Sequence, residues 1–434
     1  MRRIAMLSLH TSPLAQPGAG DGGGMNVYVR ELTSALARSG VRCDVFTRAD
    51  APGLPREVRI EPNLVVHHVS AGPEAPLDKA RLVELVPTIT EEIAAILARP
   101  RDGAAPVEVV HANYWLSGLV GHALKHRLGV PLVSTFHTLE RVKAEASPED
   151  AERERPDQRA RAEADVIGCS DAVLASCSVE AAQLVVHYGA ARERVVTVAP
   201  GVDRAFFSPG DQRQARRAVG IDPDGPLVLF VGRIQPLKGL QVAIRAFAQL
   251  SRLGVQGARL AIVGGPSGPD GEREHRRLVA LAARLGISAS TQFVAPQRHE
   301  LLSSWYRAAS CCIVPSRSES FGLVALEAAA CGTPVVASAV GGLTTLVEDA
   351  VTGYLVELDD EAAFARRLAE LCADPLAAAA MGAAAAEGSR RYTWPVAASQ
   401  LLETYQYLAS RSPVTCASGH RPPRPLLGEP AGPH

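Results

Sequence analysis

In the stretch FVGRIQPLKG an apolar run ends and Arg233 and Lys238 follow, five residues apart. Ligands of open α/β sheets bind beyond the carboxyl ends of the strands. Two cations there suit a diphosphate, the guanidinium as a fork and the ammonium as a point charge. The second constellation is SRSESFGLVALEAAACGTPVVAS, with Glu319 and Glu327 eight residues apart. On a helix starting near Phe321 that spacing is two turns plus about 80°, so both carboxylates reach one elongated ligand. Carboxylates accept hydrogen bonds from vicinal hydroxyls, as acidic residues do for ribose. Burying Glu327 in so apolar a helix is costly without partners, which argues for a ligand or an ion pair.

The third is GAGDGGGMNVYVRELTSALARSG, where glycines stand directly before a helix whose apolar positions Met25, Val29, Leu32 and Leu36 are spaced by three and four. Glycines let backbone approach a ligand, and a helix start leaves N–H groups and a dipole end for an anion. The run matches neither GxGxxG nor a P-loop. By themselves the glycines also read as a flexible loop, the Arg/Lys pair as a solvated turn, and His10 and His137 as core histidines satisfied by backbone.

These residues need elements to hold them. The chain has 434 residues, 47% hydrophobic and 21% charged, enough for two or three domains. Its net charge of −1, from 45 basic and 46 acidic residues, gives no field toward nucleic acid or an anionic membrane. The partner expected is a small molecule. No apolar run reaches the roughly 18 residues of a membrane span, and MRRIAMLSLHTS reads as a first strand, not a leader. The eight cysteines show no CxxC pair or Cys/His ligand spacing and read as buried thiols in a reduced cytoplasm.

Apolar runs of strand length (RIAMLSLH, VRCDVFTR, VEVVHANYW, VPLVSTFH and DAVLASCS, then PLVLFVGR, LAIVGG, CCIVPS and TPVVASAVGG) alternate with helical patterns. They predict an α/β protein with two Rossmann-like doubly wound domains facing a cleft. The expected division is 1–200, then 207–392 after a linker rich in Pro, Gly and Asp (VAPGVDRAFFSPGD). A helix over 393–411, interrupted at Pro395, crosses back to the first domain, and a disordered tail fills 412–434.

VGRIQPLKG, GGPSG, the acid-x7-acid segment and the linker PGVD together resemble family 4 of the retaining nucleotide-sugar glycosyltransferases, which have the GT-B fold. The resemblance covers about residues 1 to 410. LHTSPLAQPGAGDGGGMNVYVREL and HANYWLSGLVG are most similar to the branch moving N-acetylglucosamine onto 1D-myo-inositol 3-phosphate in mycothiol biosynthesis. Sucrose-phosphate synthases share part of the pattern.

The resemblance implies a nucleotide-sugar donor bound by Arg233 and Lys238 at its diphosphate, with Glu327 on the ribose and Glu319 on the sugar. Gln16, Pro17, Gly24, Val294, Gly322, Leu323 and Val324 complete the donor site. Arg233, Lys238, His137 and Glu319 would be the catalytic set, with His137 on the transferred sugar. A small polar acceptor would meet His10, Asp21, Gly22, Gly23, Gly24, Met25 and Asn26, and its phosphate would meet Lys79, Tyr114, Thr138 and Arg159. Attack is expected on the face the nucleotide leaves, with the leaving phosphate taking the proton and no side chain acting as nucleophile. The chemistry requires no cofactor. Some members are described with magnesium near Tyr306, Arg307, Ala309 and Thr333, though no carboxylate-rich magnesium spacing is present. A homodimer is left open. The alternatives are a family member of specialised metabolism acting on an aminocyclitol, a sucrose-phosphate-synthase-like enzyme, and a nucleotide-sugar epimerase.

Overall fold

The computed structural model describes residues 1–416 apart from 19, 21, 100–104, 147–155, 222–223 and 269. Asp21 and the expected disorder from 417 onward lie outside the described residues. Eight strands make the first sheet: β1 (Arg3–Leu7), β2 (Arg42–Arg48), β3 (Glu57–Glu61), β4 (Leu64–Val69), β5 (Val109–Asn113), β6 (Leu132–Thr135), β7 (Ala172–Ala175) and β8 (Val195–Thr197). Their order is β3-β4-β2-β1-β5-β6-β7-β8, parallel except for the β3–β4 hairpin at one edge. Its helices are α1 (Gly24–Arg38), α2 (Lys79–Glu84), α3 (Val86–Ala98), α4 (Trp115–Leu128), α5 (Glu140–Ala146), α6 (Pro156–Cys169) and α7 (Ser178–Tyr188).

The second sheet has β9 (Leu227–Val231), β10 (Arg259–Val263), β11 (Thr291–Val294), β12 (Cys311–Val314), β13 (Val335–Ser338) and β14 (Gly353–Val356), all parallel in the order β11-β10-β9-β12-β13-β14. Around it lie α8 (Gln212–Ala218), α9 (Leu240–Phe247), α10 (Gly271–Arg284), α11 (His299–Ala308), α12 (Leu323–Ala330), α13 (Leu343–Leu346), α14 (Glu361–Ala373) and α15 (Pro375–Gly388). Each sheet carries a core on both faces, which is why its central strands read as unbroken apolar runs. No single helix among the described residues is long and apolar enough to cross a membrane.

Two crossings join the halves, and they touch: the Val202 N–H donates to the Tyr392 carbonyl at 3.1 Å. After the second crossing, α16 (Trp394–Ala409) packs Trp394, Ala397, Leu401 and Tyr405 into the core that holds β1 and α1. Pro395 does not interrupt this helix. It sits in the first turn, where its missing N–H and fixed φ cost nothing, behind the N-cap Thr393. The helix expected near Phe321 forms, but it does not include Glu319. Gly322 takes φ +102° and α12 starts only at Leu323, leaving Glu319 in the preceding loop. Residues 412–416, expected in the disordered tail, are placed against the first domain, with the Val414 N–H donating to Asp171 Oδ1 and Cys416 buried.

Candidate functional site

The order of the second sheet is the doubly wound 3-2-1-4-5-6, whose topological switch point lies between β9 and β12. Arg233 and Lys238 follow β9, and Glu319 follows β12. On the first sheet the switch lies between β1 and β5, which His10 and Tyr114 follow. All five residues line one cleft of about 540 Å³, formed by the carboxyl ends of both sheets.

On the second-domain wall, Lys238 Nζ donates to Glu319 Oε2 at 2.6 Å, both half-buried. Ser316 Oγ donates to the same oxygen. Arg233 reaches Ser267 Oγ at 3.4 Å, and Gln235 donates to that hydroxyl at 2.9 Å. Glu327 is 6% exposed, and both its oxygens are engaged: Tyr306 OH donates to Oε2 at 2.8 Å and His299 Nε2 lies 3.3 Å from Oε1. A ligand or an ion-pair partner was expected for Glu327, and His299 supplies the latter. Burial alone would lower the His299 pKa, but the hydrogen bond and charge of Glu327, with Glu31 and Asp203 behind them, raise it. Nothing local marks His299, because 28 residues separate it from Glu327.

The glycine loop spans the cleft. Its Gly18 carbonyl accepts from Gly265 N–H at 3.1 Å, and Gln16 donates to the Gln297 carbonyl at 2.8 Å, so the loop is tied to the second domain. Gly23 lies under Arg233, where a Cβ would come 3.1 Å from Nε. Pro17, Gly23, Gly24 and Met25 line the cleft. Gly22 instead holds the loop, accepting from Gly18 N–H.

The first-domain wall is basic and aromatic. Tyr114 stacks on His10 with centroids 4.3 Å apart, Arg159 lies over the Tyr114 ring at 5.0 Å, and Lys79 is 6.0 Å from the ring centroid. His10 is not satisfied by backbone: its Nδ1 is buried without a hydrogen-bond partner. Burial, then the charges of Lys79, Arg159 and Arg233, holds its pKa well down. His137 is neutral too, burial pushing it down to about 3, and its Nε2 pairs with Asn113 Oδ1 at 2.9 Å. Tyr114 and His137 have φ of 75° and 61°, a left-handed backbone that ordinary residues adopt at a cost and that clusters at functional sites.

Arg159 is held more firmly than its place in a charged segment foretells. Its guanidinium meets Glu163 at 2.8 Å and Glu140 at 3.0 Å, and it donates to the Thr138 carbonyl and hydroxyl. Its charge is therefore largely offset at close range. Lys143, from the same charged segment, also lines the cleft and was missed.

Several expected contacts fall elsewhere. Asn26 is 1% exposed and spends its amide on the loop, accepting from Gly23 N–H and donating to Thr11 and Ser12. It holds the loop in place. The Val294 carbonyl accepts from Gly264 N–H, and Pro296 and Gln297 line the cleft in its place. Gly322, Leu323 and Val324 do line it. The residues named for magnesium do not fit the ion. Tyr306 is occupied by Glu327, Thr333 donates to the Tyr306 carbonyl, Gln212 donates to that of Ala309, and Arg307 places a cation there, donating to Ser208 and Phe206 carbonyls. Magnesium takes oxygen ligands, carboxylates above all, and this set offers none free of other work.

Two facing α/β domains with a shared cleft at their strand ends are the architecture of GT-B glycosyltransferases, and the sequence comparisons agree. Residues 22–206 match the family described as Glycosyltransferase Family 4, and residues 211–388 the one described as Glycosyl transferases group 1. The chain belongs to these GT-B glycosyltransferases. A D-inositol 3-phosphate glycosyltransferase of Kribbella flavida is 47% identical over 94% of this chain and 96% of its own length. One from Acidothermus cellulolyticus is 45% identical over 93% and 90%. Among solved structures, a sucrose-phosphate synthase from Thermosynechococcus elongatus aligns with TM-score 0.87 and 34% identity over 94% of this chain and all of its own.

Proposed function

We propose that the protein transfers N-acetylglucosamine, with retention, from its UDP ester to 1D-myo-inositol 3-phosphate in mycothiol biosynthesis in the cytoplasm. One observation carries the reading: a single cleft is lined by cationic side chains on both walls, Arg233 and Lys238 opposite Lys79, Lys143 and Arg159. A reaction moving a sugar from a nucleoside diphosphate to a phosphorylated acceptor needs that pairing of sites. The names of the curated relatives support the acceptor.

In this reading Arg233 and Lys238 hold the donor diphosphate and stabilise the charge that grows on it as the sugar departs. Lys238 exchanges part of its contact with Glu319 for the phosphate, and Glu319 turns to the sugar hydroxyls. Glu327, oriented by Tyr306 and His299, accepts from the ribose. The acceptor hydroxyl attacks on the face the diphosphate leaves, and the leaving phosphate oxygen takes its proton. His137 stays neutral beside the transferred sugar, and its bond to Asn113 fixes the ring. No side chain is required as nucleophile.

The test incubates purified protein with UDP-N-acetylglucosamine and either inositol 3-phosphate or unphosphorylated aminocyclitols, with and without added magnesium, following UDP release and product mass. Transfer to the inositol phosphate, with the α-configuration kept and no magnesium requirement, is expected. Transfer only to unphosphorylated alcohols overturns the acceptor, and donor hydrolysis without transfer leaves the donor site alone standing.

A further inference from the structure

Far from the cleft, four residues bring metal-binding atoms together: His122, His126, Cys169 and Cys416. We propose that they form a closed zinc site that fastens the C-terminal segment to the first domain. His122 and His126 are one turn apart on the same face of α4. Cys169 ends α6, and Cys416 arrives from beyond α16. Their donor atoms all lie within 4.8 Å of one another. His126 Nε2 is 3.1 Å from the Cys416 sulfur and 3.6 Å from that of Cys169, while His122 Nε2 is 3.5 Å from Cys416. A tetrahedral Zn²⁺ with its usual bonds to sulfur and nitrogen has ligand–ligand edges of roughly 3.3–3.8 Å. The imidazole–sulfur separations fall in or beside that range.

The two sulfurs are paired with each other here, across 247 residues of sequence. A disulfide accounts for the cysteines but not for the convergence of two imidazoles on their sulfurs. A zinc ion between two parted thiolates uses all four groups, and two cysteines with two histidines are a ligand set zinc favours. Binding to the reduced chain displaces two thiol protons and moves no electrons.

The surroundings hold the ligands in place, as supporting shells of metal sites do. Lys125 Nζ donates to the Cys169 carbonyl at 2.7 Å and pairs with Asp171 at 2.8 Å. Asp171 accepts from Val414 N–H, two residues before Cys416, and from Leu132 N–H at 2.7 Å on β6. Four protein ligands leave no open position, so the site is structural. It is also remote from the chemistry: α4 starts at the cleft, and His122 and His126 lie about 12 and 18 Å further along it than Tyr114. Only the i, i+4 histidines of GHALKH were legible in the sequence. The cysteines come from distant segments and no local spacing betrays them.

The test uses the full chain without a histidine tag, purified under reducing conditions. Elemental analysis should find one zinc per chain, and cobalt exchanged for it should give a thiolate charge-transfer band with tetrahedral d–d absorption. Zinc should be lost in Cys416→Ser and fall at least tenfold in occupancy in His126→Gln, which keeps both cysteines. Chelation should lower the melting temperature of the wild type and not of Cys416→Ser. A wild-type chain that takes up neither metal overturns the proposal. So does a thiol titration of a separate, unfolded preparation made without reductant that finds six thiols, not eight, in both the wild type and His126→Gln, since that identifies a disulfide.

Discussion

Lys238 stands 2.6 Å from Glu319 in a pair that is about a quarter exposed. Such pairs add at most about 1 kcal/mol to stability, so the residue matters more for what enters the cleft. In the proposed donor site, Lys238→Ala removes a phosphate ligand and leaves Glu319 unopposed beside an incoming anion. We expect kcat/KM to fall about 10²–10³-fold with the melting temperature nearly unchanged, measured by UDP release and calorimetry on the same preparation. His299 makes a prediction in pH. Its folded pKa is raised by Glu327, so the stability it contributes is fully present below its unfolded value of about 6.5 and is lost as pH rises through the folded value. The gap in melting temperature between wild type and His299→Gln should be widest below about pH 6.5 and narrow as pH rises above it, and a gap that widens with pH contradicts the pairing. The need of Glu327 for a partner was legible in its apolar helix. The partner was not, because tertiary packing brings α11 to it.

At the scale of elements, the glycine loop is where backbone and cation meet. Gly23 has an extended backbone, φ −160°, so a side chain there is a matter of space and not of strain. Gly23→Val puts its Cβ against the Arg233 guanidinium, within 3.1 Å of Nε before any relaxation. The variant should fold with its wild-type melting temperature and lose about tenfold or more in kcat/KM, the scale of a misplaced transition-state donor, with the donor KM raised. Unchanged kinetics would mean that the loop does not position Arg233. Both the strand before this loop and the helix after it were readable from apolar spacing, as were the eight other central strands. The edges were not. β8 is only three residues long, and the β3–β4 hairpin is the one antiparallel pair. Gly322 shows why the relation of Glu319 to Glu327 was misjudged. A left-handed glycine caps the helix and holds Glu319 outside it, so helical spacing cannot relate the two carboxylates.

Over the whole molecule, the chain leaves the first domain through its linker and returns through α16, whose Leu401 and Tyr405 are fully buried beside β1 and α1. Tyr405 OH also contacts His111 Nδ1 on β5, 294 residues away in sequence. This helix binds the end of the chain to its beginning. Leu401→Ala should cost about 2–5 kcal/mol, read as a lower denaturation midpoint, while KM for donor and acceptor stays the same in the folded fraction. The two-domain plan was legible because buried parallel strands announce themselves. The acceptor wall was less so, since Lys79, Lys143 and Arg159 come from separate helices and only the fold collects them in one cleft.

That collection is the central claim, and one comparison tests it most directly. Steady-state kinetics with inositol 3-phosphate and with inositol, for wild type and Lys79→Ala, separate the acceptor's phosphate from the rest of the cleft. Losing one charged phosphate contact should raise KM for inositol 3-phosphate roughly 10–100-fold, leaving the reaction with inositol and the slow hydrolysis of the donor unchanged. Equal losses with both acceptors, or none with either, would contradict a phosphate site on the first-domain wall.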